Sequence, residues 1–254
     1  MTSTEHPVSE AALEKLRHVS TATLTTQLFK HGLRNVFLQG VVPLVKPAAD
    51  APNLVGPAFT LRNIPAREDI DHVGIFQDPD HPQRKAIETA PPGSVFVQDC
   101  RGERSVASVG SILATRLKMR GVAGMVSDGP IRDSATIAAL GLPLFCAGAS
   151  APLNLAKHHA IDVNVPIGCG GVAVYPGDIV VGDADGVVIV PRHLAEEIAH
   201  AAAEQELMEA FITERIEAGA PLRGTYPPND ETLAAYGEWR KSRNKDVPKM
   251  GPAD

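Results

Sequence analysis

The segment Gly121 to Asp133, GVAGMVSDGPIRD, sets Asp128, Arg132 and Asp133 directly after a short apolar run. A buried strand that breaks at Asp128-Gly129-Pro130 would deliver these side chains to a sheet edge, where ligands gather in open α/β folds. Arg132 offers a rigid planar fork of donors that suits a carboxylate. Asp133 is a hard oxygen ligand of the kind Mg²⁺ or Mn²⁺ prefers. Together they could hold both ends of a 2-oxo acid, the carboxylate on Arg132 and the keto oxygen through a metal on Asp133. A plainer reading stands beside this one: Asp-Gly-Pro is an ordinary turn, and an Arg-Asp pair before a helix is an ordinary cap.

A second segment, SVGSIL (Ser108 to Leu113), opens a helix. A helix start leaves backbone N–H groups free and favours an anion, and Gly110 would let a carboxylate approach the backbone of Ser111, Ile112 and Leu113. By itself this is also an unremarked glycine near a helix start. The adjacent pair His158-His159 lacks the spacing of a metal motif and is read as surface. Asp183-Ala184-Asp185-Gly186 lacks the later Glu of a calcium loop and is read as a hairpin turn. Neither a GxSxG elbow nor a Walker loop occurs. Lys118, on a charged helix end, and Lys157, before the two histidines, offer no buried Schiff-base amine.

The elements that must position these residues follow from periodicity. Residues 9–31 read as helical, with the Ser20–Thr26 run able to hold a cap. Residues 35–44 and 53–62 read as strands, and 63–80 as a polar loop around the apolar patch Val73 to Phe76. Then come a helix over 81–90, a strand over 94–98, a helix over 107–120 closed by Gly121, a strand over 122–126, a helix over 134–140 and a strand over 142–146. That alternation predicts a parallel sheet. The helix over 107–120 would use Ile112, Leu113, Leu117 and Met119 as its apolar face. Residues 161–190 are Val- and Gly-rich with turn signals and read as antiparallel strands. Residues 193–217 form the longest helix, and 230–242 a short terminal one. The expected organisation is one domain over 1–220 and a C-terminal extension over 221–254.

Composition bounds the rest. The chain has 254 residues, 44% hydrophobic and 21% charged, enough for a full core and unlike a disordered chain. A net charge of −6 argues against nucleic acid as a partner. Cys100, Cys146 and Cys169 form no CxxC and suit small buried residues in a reducing compartment. The polar stretch Met1 to Glu10 is no signal peptide, and no apolar run could span a bilayer, so a cytoplasmic location without membrane contact is expected.

Gly110 followed by Asp128-Gly129-Pro130-Ile131-Arg132-Asp133 resembles the RraA-like family, in which a glycine-led helix start precedes a strand ending in DGxxRD. GPAFTL (Gly56 to Leu61), PPGSVFV (Pro91 to Val97) and YPGDIVVGDADGVVIVP (Tyr175 to Pro191) are similar to that family's GxAxT strand, PGDVVV strand and PGD…DGVVVVP hairpin. The match spans about residues 20–220. The resemblance implies an α/β fold of three-layer β/β/α, swivelling-domain-like type, and a homotrimer or homohexamer. It also implies a divalent-metal-dependent carbon–carbon lyase of the class II pyruvate aldolase type, with oxaloacetate decarboxylation as a side activity. In that light Arg132 binds the substrate and stabilises the enolate oxygen, Asp133 anchors the metal, and backbone N–H groups of Gly110, Ser111, Ile112 and Leu113 hold the carboxylate. A Glu from the long C-terminal helix of a neighbouring subunit completes the family's metal shell, with Glu209 and then Glu206 as candidates; a solvated acidic helix face is the alternative. Aldolase members usually carry Asp or Glu directly after the helix-start glycine, and this chain departs from them with Ser111. Two rival activities remain open: a non-catalytic ribonuclease E-binding regulator, and a hydrolase of a 2,4-dioxo acid.

Overall fold

In the computed structural model, which describes residues 8–245, a mixed sheet lies between a helical layer and a second β layer. In chain order the elements are α1 (Glu10–Leu16), α2 (Thr21–Lys30), β1 (Val42–Pro43), β2 (Leu54–Pro65), α3 (Pro82–Thr89), β3 (Val95–Asp99), α4 (Ser111–Met119), β4 (Gly124–Ser127), α5 (Ser134–Ala139) and β5 (Leu144–Cys146). There follow β6 (His158–Val163), β7 (Ile167–Cys169), β8 (Val172–Val174), β9 (Ile179–Gly182), β10 (Val187–Val190), α6 (Ala195–Glu217), a kinked turn α7 (Leu222–Thr225) and α8 (Asp230–Lys245). Strands β2, β3, β4 and β5 run parallel, joined through α3, α4 and α5. The long β2 serves several partners: Leu54–Pro57 pairs with β9, Ala58–Arg62 with β3, and Leu61–Pro65 with β6.

Strand alternation sorts the core into two layers. Phe59, Leu61, Phe96, Met125, Leu144 and Cys146 face α3, α4 and α5, where Ile87, Ala114, Leu117 and Ile137 meet them. Their sequence neighbours Ala58, Val95, Val97, Val126 and Phe145 face the opposite way and pack on β7, β8, β9 and β10. The expected three-layer β/β/α arrangement is therefore present, built from adjacent residues pointing to opposite faces. Phe96 is fully buried, and truncating it to Ala would cost about 3–5 kcal/mol.

Chain contacts divide the molecule into two compact units, one running to Ala202 and the other starting at Ala203. Within the second unit, Phe211, Tyr236 and Trp239 form an aromatic cluster with ring centroids 5.5–5.8 Å apart. Glu214 accepts from Trp239 Nε1 at 2.8 Å and pairs with Arg243 at 2.6 Å. Among the described residues no helix is long and apolar enough to cross a membrane.

Several expectations change. Residues 35–44 are not a continuous strand: only Val42–Pro43 pairs with β5, and Phe37 makes an isolated bridge to Val188. Gly40 takes a positive φ that turns the chain, so Val36, Leu38 and Val41 bury without a ladder. The helical region over 9–31 is interrupted as expected at Ser20, which caps the second of its two helices, while Ser9 caps the first. The helix over 107–120 begins only at Ser111, because Ala107 and Ser108 donate instead to the carbonyls of Pro152 and Pro130. Its inner face is Ala114 and Leu117, whereas Ile112 and Met119 are exposed. Of the pair His158-His159, read as surface, His158 is not at the surface and His159 is partly exposed. His158 is fully buried on β6, with Nδ1 accepting from Arg101 Nη2 at 3.2 Å. His159 contacts the buried Asp71 at 2.7 Å. Pairing of β6 with β2 carries the His158 ring into the fold. The three cysteines are buried and free, and Asp183 to Gly186 turns the β9–β10 hairpin, as expected.

Candidate active site

The site is assembled by two loops that tie to each other at the carboxyl ends of β3 and β4. Ser108 donates to the Pro130 carbonyl through both its backbone N–H (2.7 Å) and its hydroxyl (2.8 Å). Arg132 N–H returns a bond to the Val109 carbonyl at 3.0 Å, and Ile131 exchanges bonds with Gly148 and Ser150. This double tether fixes the start of α4 against the Arg132-Asp133 corner. Asp128, the first residue of the corner, is itself buried. It accepts N–H groups from Cys100, Gly102 and Gly170, which stitches three loops together. Burial pushes its carboxyl above the usual range, and these N–H donors oppose the push.

Asp133 does not act as the ordinary helix cap that the sequence also allowed. It precedes α5 with φ +57°, a left-handed conformation uncommon for a residue with a side chain, and makes no capping bond to its own helix. Its carboxylate turns to α4 instead, where Oδ2 accepts from Ser111 N–H at 3.0 Å and from Ser111 Oγ at 3.1 Å. The backbone N–H of Ser111, then its hydroxyl, hold this exposed carboxyl below the usual carboxylate range. Among the described residues Oδ1 accepts no hydrogen bond.

Gly110 explains how the groups come so close. A Cβ there would lie 2.9 Å from Arg132 Nε, 2.9 Å from Asp133 Oδ2 and 3.3 Å from Arg132 Cγ. Its backbone is extended (φ −118°), so close approach and not backbone freedom demands glycine. Beyond it, Ala114 N–H bonds back to the Gly110 carbonyl, while the carbonyls of Ser108 and Val109 are taken by Gln83 Nε2 and Arg132 N–H. Among the described residues the N–H groups of Ile112 and Leu113 have no backbone partner, and at the positive end of α4 they could receive an anion. Ser111 N–H is committed to Asp133, which narrows the expected four donors.

These groups line a cleft of about 110 Å³. Gly110, Ser111, Ile112, Leu113, Arg132 and Asp133 are all brought together there. Glu206 and Glu209 lie in the other unit, on α6, where Glu209 Oε1 accepts from Gln205 Nε2 at 2.7 Å. Among the further lining residues, sequence reading missed Phe76, Gln83, Arg84 and Asn154. Phe76 comes from the polar stretch with no periodicity, and Gln83 and Arg84 from the first turn of α3. A charged residue beside a long structureless stretch was the one available signal.

Asp133 is the sole carboxylate lining the cleft, and among the described residues no three His, Cys, Asp or Glu side chains converge as a cation cage. One free carboxylate oxygen at an open cleft fits Mg²⁺ or Mn²⁺, which keep several waters and take substrate oxygens. It does not fit a closed zinc site.

Comparison with known proteins agrees with this architecture. The family model described as RraA-like, Aldolase/RraA, matches residues 21–189. A protein of Halalkalibacterium halodurans with the provisional name 4-hydroxy-4-methyl-2-oxoglutarate aldolase is 34% identical over 186 residues, 71% of this chain and 82% of that relative. A crystal structure of Streptomyces coelicolor RraAS2, described as an unusual member of the RNase ES inhibitor RraA protein family, superposes with a TM-score of 0.71 at 32% identity. It covers 81% of this chain and 97% of that one. An uncharacterised protein from Pseudomonas syringae pv. tomato superposes with a TM-score of 0.73 at 28% identity, covering 87% and 99%.

Proposed function

Since this chain belongs to the RraA-like (Aldolase/RraA) family, we propose that it is a divalent-metal-dependent carbon–carbon lyase acting on a small 4-hydroxy-2-oxo acid. The observation that carries this reading is the convergence of Arg132 and Asp133 on Gly110, both 2.9 Å from where a Cβ would stand, beside the N–H groups at the start of α4. One cleft thereby offers a carboxylate seat, a fixed positive charge and a metal-anchoring carboxylate.

In the proposed reaction the substrate C1 carboxylate sits on the N–H groups of Ile112 and Leu113, favoured by the α4 dipole. Arg132 faces the C2 oxygen. The C4 hydroxyl gives up its proton to solvent and the C3–C4 bond breaks. Its electron pair moves into an enolate, and a carbonyl forms at C4. Arg132 stabilises the negative charge arriving on the C2 oxygen in a partly dry site, where a preorganised charge counts most. Protonation at C3 then releases pyruvate. Asp133, with Glu209 or Glu206 of a neighbouring subunit in a trimer or hexamer, would hold Mg²⁺ or Mn²⁺, which supplies Lewis-acid polarisation of the keto oxygen. Ser111 donates its hydroxyl to Asp133, so in this chain that position orients the anchoring carboxylate and does not serve as a base.

The test is coupled detection of pyruvate release with Mg²⁺ across several 4-hydroxy-2-oxo acids and oxaloacetate. Arg132→Ala and Asp133→Ala should each lower turnover at least about a hundredfold, the usual loss for one electrostatic stabiliser. Wild-type rates in either variant overturn the site, and turnover unaffected by EDTA overturns the metal. The likeness to a ribonuclease inhibitor family member favours a second reading, binding to a ribonuclease. The double variant separates the two: ribonuclease binding would survive it, and lyase activity would not.

A further inference from the structure

Arg84 lines the same cleft as Arg132 and Asp133, on the first turn of α3. It is half-buried, with its Cζ 4.2 Å from the centre of the Phe76 ring. No carboxylate lies within ion-pair distance of it among the described residues, and it makes no hydrogen bond to them. Its neighbours on the same helix behave differently: Lys85 pairs with Asp80, and Glu88 pairs with Arg116. Two acids near His81, the residue that opens α3, are engaged elsewhere. Asp71 holds His159 and the Arg67 N–H, and Asp78 accepts from the Asp80 N–H.

A desolvated guanidinium without a counter-ion is costly, and burial alone pulls this one below the usual arginine range. Stacking on Phe76 covers one face of the guanidinium and leaves its in-plane N–H groups for a planar anion. Apart from Arg84, Arg132 and Asp133, the lining carries no charge; it is largely Ala107, Val109, Ile112, Leu113 and Leu153. In the lyase reading the α4 start takes the C1 carboxylate, which leaves Arg84 for a second.

We propose that Arg84, held on Phe76, determines specificity in this cleft by binding a carboxylate on the fragment that departs when the carbon–carbon bond breaks. The assignment deepens the lyase reading above and rests on it for the words departing fragment. The name of the Halalkalibacterium relative already denotes a substrate with a carboxylate beyond C4, and the assignment makes Arg84 the residue that reads such a group in this chain.

The experiment compares wild type, Arg84→Met and Arg84→Lys on 4-hydroxy-2-oxoglutarate and 4-hydroxy-2-oxopentanoate, which differ in carrying a carboxylate or a methyl at C5. Wild type should favour the dicarboxylate in kcat/KM. Arg84→Met keeps an unbranched stem over Phe76 and should cut that preference about ten- to a hundredfold, the worth of one charge-assisted hydrogen-bonded pair. The loss should fall mainly on KM, and Arg84→Lys should regain part of it. A preference unmoved in Arg84→Met, or a wild type that favours the monocarboxylate, overturns the assignment. Calorimetric binding of 2-oxoglutarate against 2-oxopentanoate reads the same selectivity without turnover. If selectivity appears and is lost in Arg84→Met while no substrate releases pyruvate, the lyase reading fails and the carboxylate site stands. If pyruvate is released with selectivity indifferent to Arg84, the reverse holds.

Discussion

Replacing Gly110 with Ala isolates the central contact of the site. The new methyl would meet Arg132 Nε and Asp133 Oδ2 at 2.9 Å, so each must recede by about half an ångström to reach ordinary contact distance. Both belong to side chains that can move, and φ −118° suits alanine, so the fold should persist. Alanine is a poorer N-cap than glycine, which adds a stability cost of about 0.5–1 kcal/mol, or a few degrees in Tm. Catalysis should suffer far more, because displacement of a positioned group by a fraction of an ångström to 1 Å costs up to about a hundredfold. The assay is pyruvate release beside a thermal melt of the same preparation. A kcat/KM within about twofold of wild type would show that the Arg132–Asp133–Gly110 packing has no catalytic part. A collapse of the melt together with activity would return the effect to folding and refute the claim that only two movable side chains stand in the way.

Other outcomes follow from buried polar groups. His158 is fully buried, and desolvation pushes its pKa down to about 4, so between pH 6.5 and 4 the unfolded chain binds a proton that the folded one does not. Stability should fall as pH drops through that window, by at most about 3 kcal/mol from this group. Urea midpoints at pH 7 and pH 4.5 should differ less in His158→Gln than in wild type; equal differences would count against the buried neutral imidazole. Asp183 accepts from Thr21 N–H (2.8 Å), Thr21 Oγ (2.9 Å), Asp185 N–H (2.9 Å) and Gly186 N–H (3.3 Å), joining the start of α2 to the β9–β10 turn. Asp183→Ala should therefore destabilise by about 2–4 kcal/mol in urea unfolding, with the lyase site untouched. A loss under about 0.5 kcal/mol would show that water replaces those bonds.

The alternation of apolar strands and helices from Val95 to Cys146 already specified a parallel sheet with helices between its strands, and the Val-rich stretch that follows specified antiparallel strands; that these form a second β layer was implied only by the family resemblance. Periodicity carries that information because each side chain's direction repeats with the local backbone. The pairing of Gly110 with Arg132 and Asp133 was visible only through a familiar motif, since no local rule links residues 110 and 133. Three things required the folded chain. The Asp133 carboxylate serves Ser111 and not its own helix, because a left-handed backbone at that residue aims it across the corner. His158 on β6 is interior, because β2 supplies a long-range partner. Arg84 faces the cleft with no counter-ion among the described residues, because only the packing of α3 beside α4 decides which surface a lone arginine meets. Sequence periodicity fixes direction within an element; which charges share a dry space depends on contacts between elements distant in the chain.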